Sequence, residues 1–292
     1  MKGRILKSLS GFYYVFNKES GLFECRARGV FRHDGTKPLV GDEVMIDITD
    51  EENKKGHVTE VLDRKNSLIR PAVSNVDQAL IFFAAKRPDP NLNLLDRFLI
   101  ALKQQGLDAM ICFNKCDTVD DEYIKDLMDV YKGTGLLVKA VSIKKNIGLD
   151  EIKDFLRGKT TVLAGPSGVG KSSLVNALNP YVNAVTGAVS EKIGRGKQTT
   201  RHTEIVAAEH ETFIIDTPGF GSLGLFDMEK EDLKNFYPEF KEHEDKCRFL
   251  SCVHMAEPEC GVKDAVEEGL ISRERYENYK LLFEELKKQK KY

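Results

Sequence analysis

Residues 160–178, TTVLAGPSGVGKSSLVNAL, begin with an apolar run, continue through a glycine-rich loop and end with helical spacing. The octapeptide at 165–172, here called the glycine loop, fits the phosphate-binding pattern G-x-x-x-x-G-K-S/T in its required context between strand and helix. Backbone N–H groups of such a loop surround phosphate oxygens, and the helix start adds partial positive charge. We therefore predict an α/β nucleotide-binding domain in which Lys171 contacts the β- and γ-phosphates and Ser172 ligates Mg²⁺.

The glycine loop alone does not distinguish ATP from GTP, but NKCD at residues 114–117 does. It follows the apolar run DAMICF. The carboxylate of Asp117 can accept hydrogen bonds from N1–H and the exocyclic amine of guanine, whereas adenine would leave it unpaired at a cost. We expect Lys115 to pack over the base or ribose. Ser142, which follows the run LLVKAV, is a candidate contact to the guanine edge.

DTPG at residues 216–219 follows the apolar run TFII. We expect Asp216 to hold Mg²⁺ through water and the N–H of Gly219 to face the γ-phosphate. NKCD comes first and DTPG last, whereas familiar GTPases begin with the glycine loop. The same site can form if the chain ends have moved, because permutation at an exposed loop is tolerated. The order of motifs therefore predicts a circularly permuted GTPase domain.

Between the glycine loop and DTPG lies GRGKQTTR, residues 194–201, whose glycine and threonine content is typical of a switch loop. Thr200, or alternatively Thr199, could complete the coordination of Mg²⁺ when GTP is bound. The residue after DTPG is Phe220, which cannot orient the attacking water as a Gln at that place does in many GTPases. The catalytic group must then come from elsewhere, and Gln198 is a nearby polar candidate.

A second cluster has the spacing Cys247-x4-Cys252-x-His254-x5-Cys260. Three thiolates and one imidazole suit one closed, tetrahedral, structural Zn²⁺ ion. Such crowding of cysteines in a reducing cytosol favours a metal over disulfides. His243 is an alternative source of the imidazole.

The 292 residues carry a net charge of −2, with 41% apolar and 31% charged residues, which is typical of a soluble globular protein. Short apolar and β-branched runs in residues 1–70 predict a small β-barrel, an OB-fold. Alternating strands and helices in 71–222 predict a central α/β GTPase domain with a mostly parallel sheet. Residues 223–292 are expected to form an α-helical zinc-binding module. The sequence contains neither a secretory signal nor a membrane-spanning run, so we expect a cytoplasmic monomer without a membrane partner.

The order NKCD, GPSGVGKS, GRGKQTTR, DTPGF and then the cysteine–histidine cluster resembles that of the RsgA family, circularly permuted GTPases that depend on the small ribosomal subunit. The resemblance implies a late-acting assembly factor of the bacterial 30S subunit, with GTP or GDP and 16S rRNA as partners and with GTPase activity stimulated by the subunit. It implies Zn²⁺ on the four cluster residues. The contacts to GTP that it implies are Asn114, Lys115, Asp117, Gly165, Pro166, Ser167, Gly168, Val169, Gly170, Lys171, Ser172 and Ser173.

One departure from the family concerns Gln198, where the family usually has the His that is proposed to be catalytic. Gln can orient a water molecule by hydrogen bonding but accepts a proton less readily. Catalysis could therefore persist with Gln198, Thr200 and Lys171, be weakened, or shift to His202. Two functions remain open: a GTP hydrolase stimulated by the 30S subunit, or a nucleotide-gated RNA- or ribosome-binding protein with little hydrolysis of its own.

Two basic surfaces are candidates for contact with RNA phosphates, with ordinary solvated charge as the alternative. One is the C-terminal helix with Arg273 and Arg275. The other is the predicted barrel, with Lys2, Arg4, Lys7, Arg26, Arg28 and Arg32.

Overall fold

The computed structural model describes residues 1–28, 31, 37–69, 71–178, 204–208, 211–216 and 228–289. Its strands are β1 Lys2–Leu9, β2 Phe12–Asn17, β3 Gly21–Ala27, β4 Glu43–Asp50, β5 Lys55–Val61, β6 Ser67–Leu68, β7 Val73–Ser74, β8 Gln78–Ala84, β9 Ala109–Asn114, β10 Leu137–Ala140, β11 Thr160–Ala164, β12 Glu204–Ala208 and β13 Thr212–Asp216. Its α-helices are α1 Leu92–Gln104, α2 Asp121–Asp129, α3 Leu149–Leu156, α4 Lys171–Leu178, α5 Gly261–Glu267 and α6 Arg273–Lys288. The 3-10 helices are Cys116–Thr118, Lys132–Thr134, Lys230–Phe236 and Pro238–Lys246.

The first five strands form the predicted small barrel. β2 is antiparallel to β1 and to β3, β3 is parallel to β5, and β4 is antiparallel to β5 and to β1, which closes the sheet on itself. In β2 to β5 the buried residues alternate with more exposed ones, as the period of a strand requires, whereas in β1 the register shifts after Ile5. The interior is therefore apolar, with Ile5, Val15, Phe23, Val44 and Val58 fully buried.

The chain divides into two compact units. The first consists of Met1–Ala79, Asp150–Ala164 and Lys171–Phe220, and it contains the barrel. Its strands follow the order β11-β13-β12-β1-β2-β3-β5-β4. β11 is parallel to β13, and β13 is antiparallel to β12. Strand β1 then pairs with β12, where Lys7 faces Glu204, so the barrel and these strands share one sheet.

The second unit consists of Leu80–Leu149, Gly165–Gly170 and Gly221–Tyr292. Its strands follow the order β10-β9-β8, with β10 parallel to β9. Every residue of β8 is buried, as is usual for a strand that is covered on both faces.

Helix α1 belongs to the same hydrophobic core as the C-terminal helices of the second unit, because Ile100 and Ala101 pack in a cluster with residues of α5 and α6. Asn91 starts α1 by accepting a hydrogen bond from the N–H of Leu94. Ser272 starts α6 in the same way, by accepting from the N–H of Arg275. Within the described part of the chain, every helix falls short of the length and hydropathy that a membrane span requires.

Candidate guanine-nucleotide site and metal centre

The first residue of NKCD, Asn114, ends β9 with its side chain buried. Its side-chain Nδ2 donates to the main-chain oxygen of Val169 in the glycine loop at 2.9 Å. Its Oδ1 accepts from the N–H of Ile143 at 3.2 Å. One amide therefore fastens the end of β9 to the glycine loop and to the loop after β10.

Lys115 follows in a left-handed conformation, with a φ of 65°. Its Nζ donates to the main-chain oxygen of Gly168 at 2.9 Å and also to that of Arg87. A non-glycine residue in this region of φ is uncommon and is found where the surrounding structure holds it. The ammonium group ties this lysine to the glycine loop, and Asp117 lies two residues further on with an exposed carboxylate.

Two glycines let the glycine loop pack closely against its neighbours. A Cβ at Gly165 would collide with the main-chain oxygen of Phe82 on β8. Gly170 has a φ of 104°, and a Cβ there would collide with the side chain of Asn114. Any larger residue at either position would therefore displace the loop from the strand or from the asparagine.

Further residues predicted to contact phosphate or Mg²⁺ belong to the first unit, at the start of α4 and the end of β13. Lys171 is the first residue of α4, and the next residues, Ser172 and Ser173, are exposed. In the parallel pair of β11 and β13, Leu163 faces Asp216, so both strands end at the same edge of the sheet.

Several predicted residues lie outside the described part of the chain. For Asp216, only the backbone is described. The predicted residues outside the described ranges are Gln198, Thr199, Thr200, His202, Gly219 and Phe220.

Ser142 is fully buried, and its polar groups are used within its own loop. Its N–H donates to the oxygen of Ile147 at 3.0 Å, and its hydroxyl oxygen accepts from the N–H of Lys145 at 3.2 Å. These bonds give the loop a fixed shape. Its predicted contact with the guanine edge stays a prediction.

The structure brings the four residues of the predicted metal cluster together, and their ligand atoms all lie within 4.8 Å of one another. The Sγ of Cys260 is 3.9 Å from that of Cys247, 3.8 Å from that of Cys252, and 3.4 Å from Nδ1 of His254. A tetrahedral ion with Zn–S bonds of about 2.3 Å requires sulfur atoms about 3.8 Å apart. The separations fit such an ion and are too long for a disulfide.

Residues around the cluster favour metal binding through Nδ1 of His254. Its other ring nitrogen, Nε2, lies 3.2 Å from Oε1 of Glu244. Lys234 contacts the same carboxylate oxygen at 3.3 Å and donates to the main-chain oxygen of Cys252 at 3.1 Å. A carboxylate behind a metal-binding imidazole fixes the tautomer and the orientation of the ring. The alternative imidazole, that of His243, lies outside this group of ligand atoms.

The protonation of the cluster depends on burial. Burial, and then the neighbouring Cys260, raises the pKa of the Cys252 thiol to about 12. Burial also lowers the pKa of His254, although Glu244 acts in the opposite direction. The lowered pKa favours the neutral imidazole that a metal ligand must be, whereas the thiols have to lose protons when a metal binds.

The candidate RNA-binding residues do not all face solvent. Arg275 is 2% exposed, so its assignment to a basic surface is wrong. Its guanidinium binds Asp96 and Glu239 inside the second unit. Arg4 is largely removed from solvent too, because its guanidinium lies 4.3 Å from the ring of Phe213 and donates to the oxygen of Asn75.

Lys2 and Arg28 are exposed, and each pairs with a carboxylate of β4. Arg32 lies outside the described residues.

Fold and motifs together define a GTPase whose motifs occur in circularly permuted order, with the guanine motif before the glycine loop. Residues 61–226 match the sequence model of the RsgA GTPase, and residues 2–58 match that of the RsgA N-terminal domain. The chain therefore belongs to the RsgA GTPase family.

Individual relatives match the chain over its whole length. It is 52% identical to the small ribosomal subunit biogenesis GTPase RsgA of Agathobacter rectalis, with 100% of each chain covered. For the protein of the same name from Alkaliphilus metalliredigens, the identity is 47%, with 100% of this chain and 99% of that one covered.

Two solved structures have the same fold. The crystal structure of YjeQ from Thermotoga maritima is 37% identical, with a TM-score of 0.79 and 99% of each chain covered. That of YloQ, described as a circularly permuted GTPase, is also 37% identical, with a TM-score of 0.77 over 100% of this chain and 96% of that one.

Proposed function

We propose that this GTPase acts in the assembly of the small (30S) ribosomal subunit and hydrolyses GTP when it is bound to that subunit. The observation that carries the nucleotide assignment is the double hydrogen bonding of Asn114, which joins the guanine motif to the glycine loop. The choice of the ribosomal subunit follows from the relatives that match the full chain, which are small ribosomal subunit biogenesis GTPases.

Guanine is recognised by the exposed carboxylate of Asp117, and Lys115 supports the base or ribose. Ser142 supports the guanine edge from the neighbouring loop. Backbone N–H groups of the glycine loop surround the phosphates, because its glycines leave room for close approach. The nucleotide contacts proposed in the glycine loop and just after it are Gly165, Pro166, Ser167, Gly168, Val169, Gly170, Lys171, Ser172 and Ser173.

Hydrolysis transfers the γ-phosphoryl group of GTP to water and leaves GDP and phosphate. Lys171 offsets the charge that develops on the phosphate oxygens. Ser172 and Thr200 would hold Mg²⁺ directly and Asp216 would hold it through water, and the ion would supply further charge stabilisation. Gly219 is proposed to donate its N–H to the γ-phosphate. Gln198 orients the attacking water by hydrogen bonding. Because Gln accepts a proton poorly, we expect slow turnover by the free protein.

The cysteine–histidine cluster holds one structural Zn²⁺ ion on Cys247, Cys252, His254 and Cys260. Structural zinc sites contribute directly to the stability of small modules. We propose that the chain has three functional modules. They are the barrel at 1–70, the GTPase domain at 71–222 and the zinc-binding module at 223–292. The barrel is proposed to contact 16S rRNA through its exposed basic residues, and the protein is proposed to act as a monomer in the bacterial cytoplasm.

Single-turnover GTP hydrolysis with increasing amounts of purified 30S subunits tests the proposal. We expect the rate to rise steeply with subunit concentration and to stay low in Lys171→Ala at every concentration. A rate that is independent of the subunit would overturn the ribosomal assignment. Subunit binding that depends on GTP, with hydrolysis no faster than in Lys171→Ala, would favour a nucleotide-gated binding protein instead.

A further inference from the structure

A buried ionic cluster lies between α1 and the C-terminal helices. The guanidinium of Arg275 on α6 donates to Oδ1 of Asp96 on α1 at 2.5 Å and to Oε1 of Glu239 at 2.7 Å. Asn278 donates to the second oxygen of Asp96 at 2.9 Å. Asp96 is fully buried, and Arg275 is 2% exposed. Removing one partner from such a cluster is costly, because the other charge then remains buried without a counter-ion.

Arg275 also reaches the guanine motif through two aromatic rings. Its guanidinium lies 5.4 Å from the centre of the ring of Tyr131, within the range of a cation–π interaction. The ring of Tyr131 is 6.3 Å from that of Phe113, and Phe113 directly precedes Asn114. The side chains of Arg275, Tyr131 and Phe113 are all buried. The position of Arg275 is therefore coupled by packing to the end of β9.

The same buried side of α6 also contacts the metal cluster. Tyr276, the residue after Arg275, donates its hydroxyl to the main-chain oxygen of His254 at 2.7 Å. Tyr279 donates to the oxygen of Val253 at 2.6 Å. The metal ligands Cys252 and Cys260 lie in the same hydrophobic cluster as both tyrosines. A change in the metal cluster on loss of its ion would thus act on α6 through these two hydrogen bonds and through the shared hydrophobic core.

We propose that Arg275 is a positioning residue for the guanine motif and that α6 links the metal centre to nucleotide affinity. An occupied metal centre holds α6, α6 holds Arg275 between Asp96 and Tyr131, and Tyr131 supports Phe113 and Asn114. Binding of metal and of guanine nucleotide then favour each other. Such linkage is reciprocal, so each ligand raises the affinity for the other by the same factor. The inference rests on the proposed guanine and zinc sites.

The test is the GDP affinity of the full chain, measured by titration calorimetry with zinc-loaded protein and with protein stripped by a chelator. We expect stripping to weaken GDP binding at least about fivefold. Saturating GDP should in turn slow the removal of zinc by the chelator. Equal GDP affinity with and without zinc would overturn the linkage.

The variant Arg275→Lys tests the contact from α6 to the guanine motif while zinc stays bound. It keeps the proposal testable even if the zinc-free protein unfolds. Lysine keeps the charge but loses the planar fork that binds two carboxylates at once. We expect weaker GDP binding with unchanged zinc content, whereas Arg273→Lys, on the exposed face of the same helix, should bind GDP as the wild type does.

Wild-type GDP affinity in a folded Arg275→Lys variant would overturn the role of Arg275. Failure of the wild-type chain to bind GDP at all would remove the proposed guanine site together with this inference. GDP binding that is indifferent to zinc and to Arg275 would remove the inference alone.

Discussion

The side chain of Asn114 donates to the main-chain oxygen of Val169 at 2.9 Å, so the guanine motif and the glycine loop share a hydrogen bond. The Oδ1 atom of the same side chain accepts a hydrogen bond from the N–H of Ile143. A single residue thus holds together three chain segments, separated in sequence, that a guanine nucleotide would contact.

Replacement of this residue by Asn114→Ala should weaken GDP binding about tenfold or more and lower the melting temperature. It leaves the oxygen of Val169 and the N–H of Ile143 buried without partners, at roughly 1–3 kcal/mol each. Calorimetric titration and thermal unfolding measure the two effects. Gln104→Ala, at an exposed position of α1, is the matched control and should change neither. Normal GDP affinity in Asn114→Ala would show that this bridge does not shape the site.

The preference for guanine over other bases should depend on the carboxylate of Asp117. The variant Asp117→Asn offers one donor and one acceptor, which match the N1–H and 2-oxo group of xanthine but not the two donors of guanine. We expect GDP affinity to fall at least about tenfold and xanthosine diphosphate affinity to rise. Competition against a fluorescent nucleotide measures both. Asp121→Asn, on the exposed first turn of α2, should keep the preference for GDP, and an unaltered preference in Asp117→Asn would refute the assigned role.

The hydrolytic step should depend on residue 198. We expect Gln198→His to accelerate hydrolysis of bound GTP at least about tenfold in the presence of 30S subunits, because an imidazole can accept the proton of the attacking water. Gln198→Ala should slow it. Single-turnover measurements separate this effect from nucleotide affinity, which neither variant should alter. If Gln198→Ala hydrolyses GTP as fast as the wild type, another group orients the water.

Metal affinity should rise with pH. The pKa of Cys252 stands at about 12 because the thiol is buried and lies beside Cys260, so its proton must leave when a metal binds. At least one proton released per ion predicts at least about a tenfold gain in Zn²⁺ affinity per pH unit near neutrality. Chelator competition from roughly pH 6 to pH 8 measures the slope.

A pH-independent zinc affinity would contradict thiolate ligation. The companion variants are Cys260→Ser, which should lose the ion, and Cys116→Ser, which should retain it because Cys116 lies outside the cluster.

The sequence predicted those parts of the fold and site that depend on local spacing. The glycine loop, NKCD and the four metal ligands each lie within a short stretch, and the types of their side chains indicate the chemistry. The apolar runs also predicted the described strands β8 to β13. The order of the motifs along the chain also predicted the circular permutation.

Contacts between distant residues could not be predicted in this way. Arg275 looked like a surface residue because its helix is rich in charge, and its partner Asp96 lies 179 positions earlier. The contact of Glu244 with His254 could not be predicted either, because carboxylates are common throughout this chain. The pairing of β1 with β12 was also not foreseen, since no local pattern indicates which strand will lie beside another.

That last pairing has a consequence for how the protein behaves in solution. On the side of β12 away from β13, strand β1 pairs with β12 at Lys7 and Glu204, so the barrel lies against the start of this edge of the sheet. Exposed sheet edges of this kind recruit strands from other molecules. A chain shortened by its first strand, which exposes this edge together with those of β2 and β4, should therefore aggregate at concentrations at which the full chain stays dispersed.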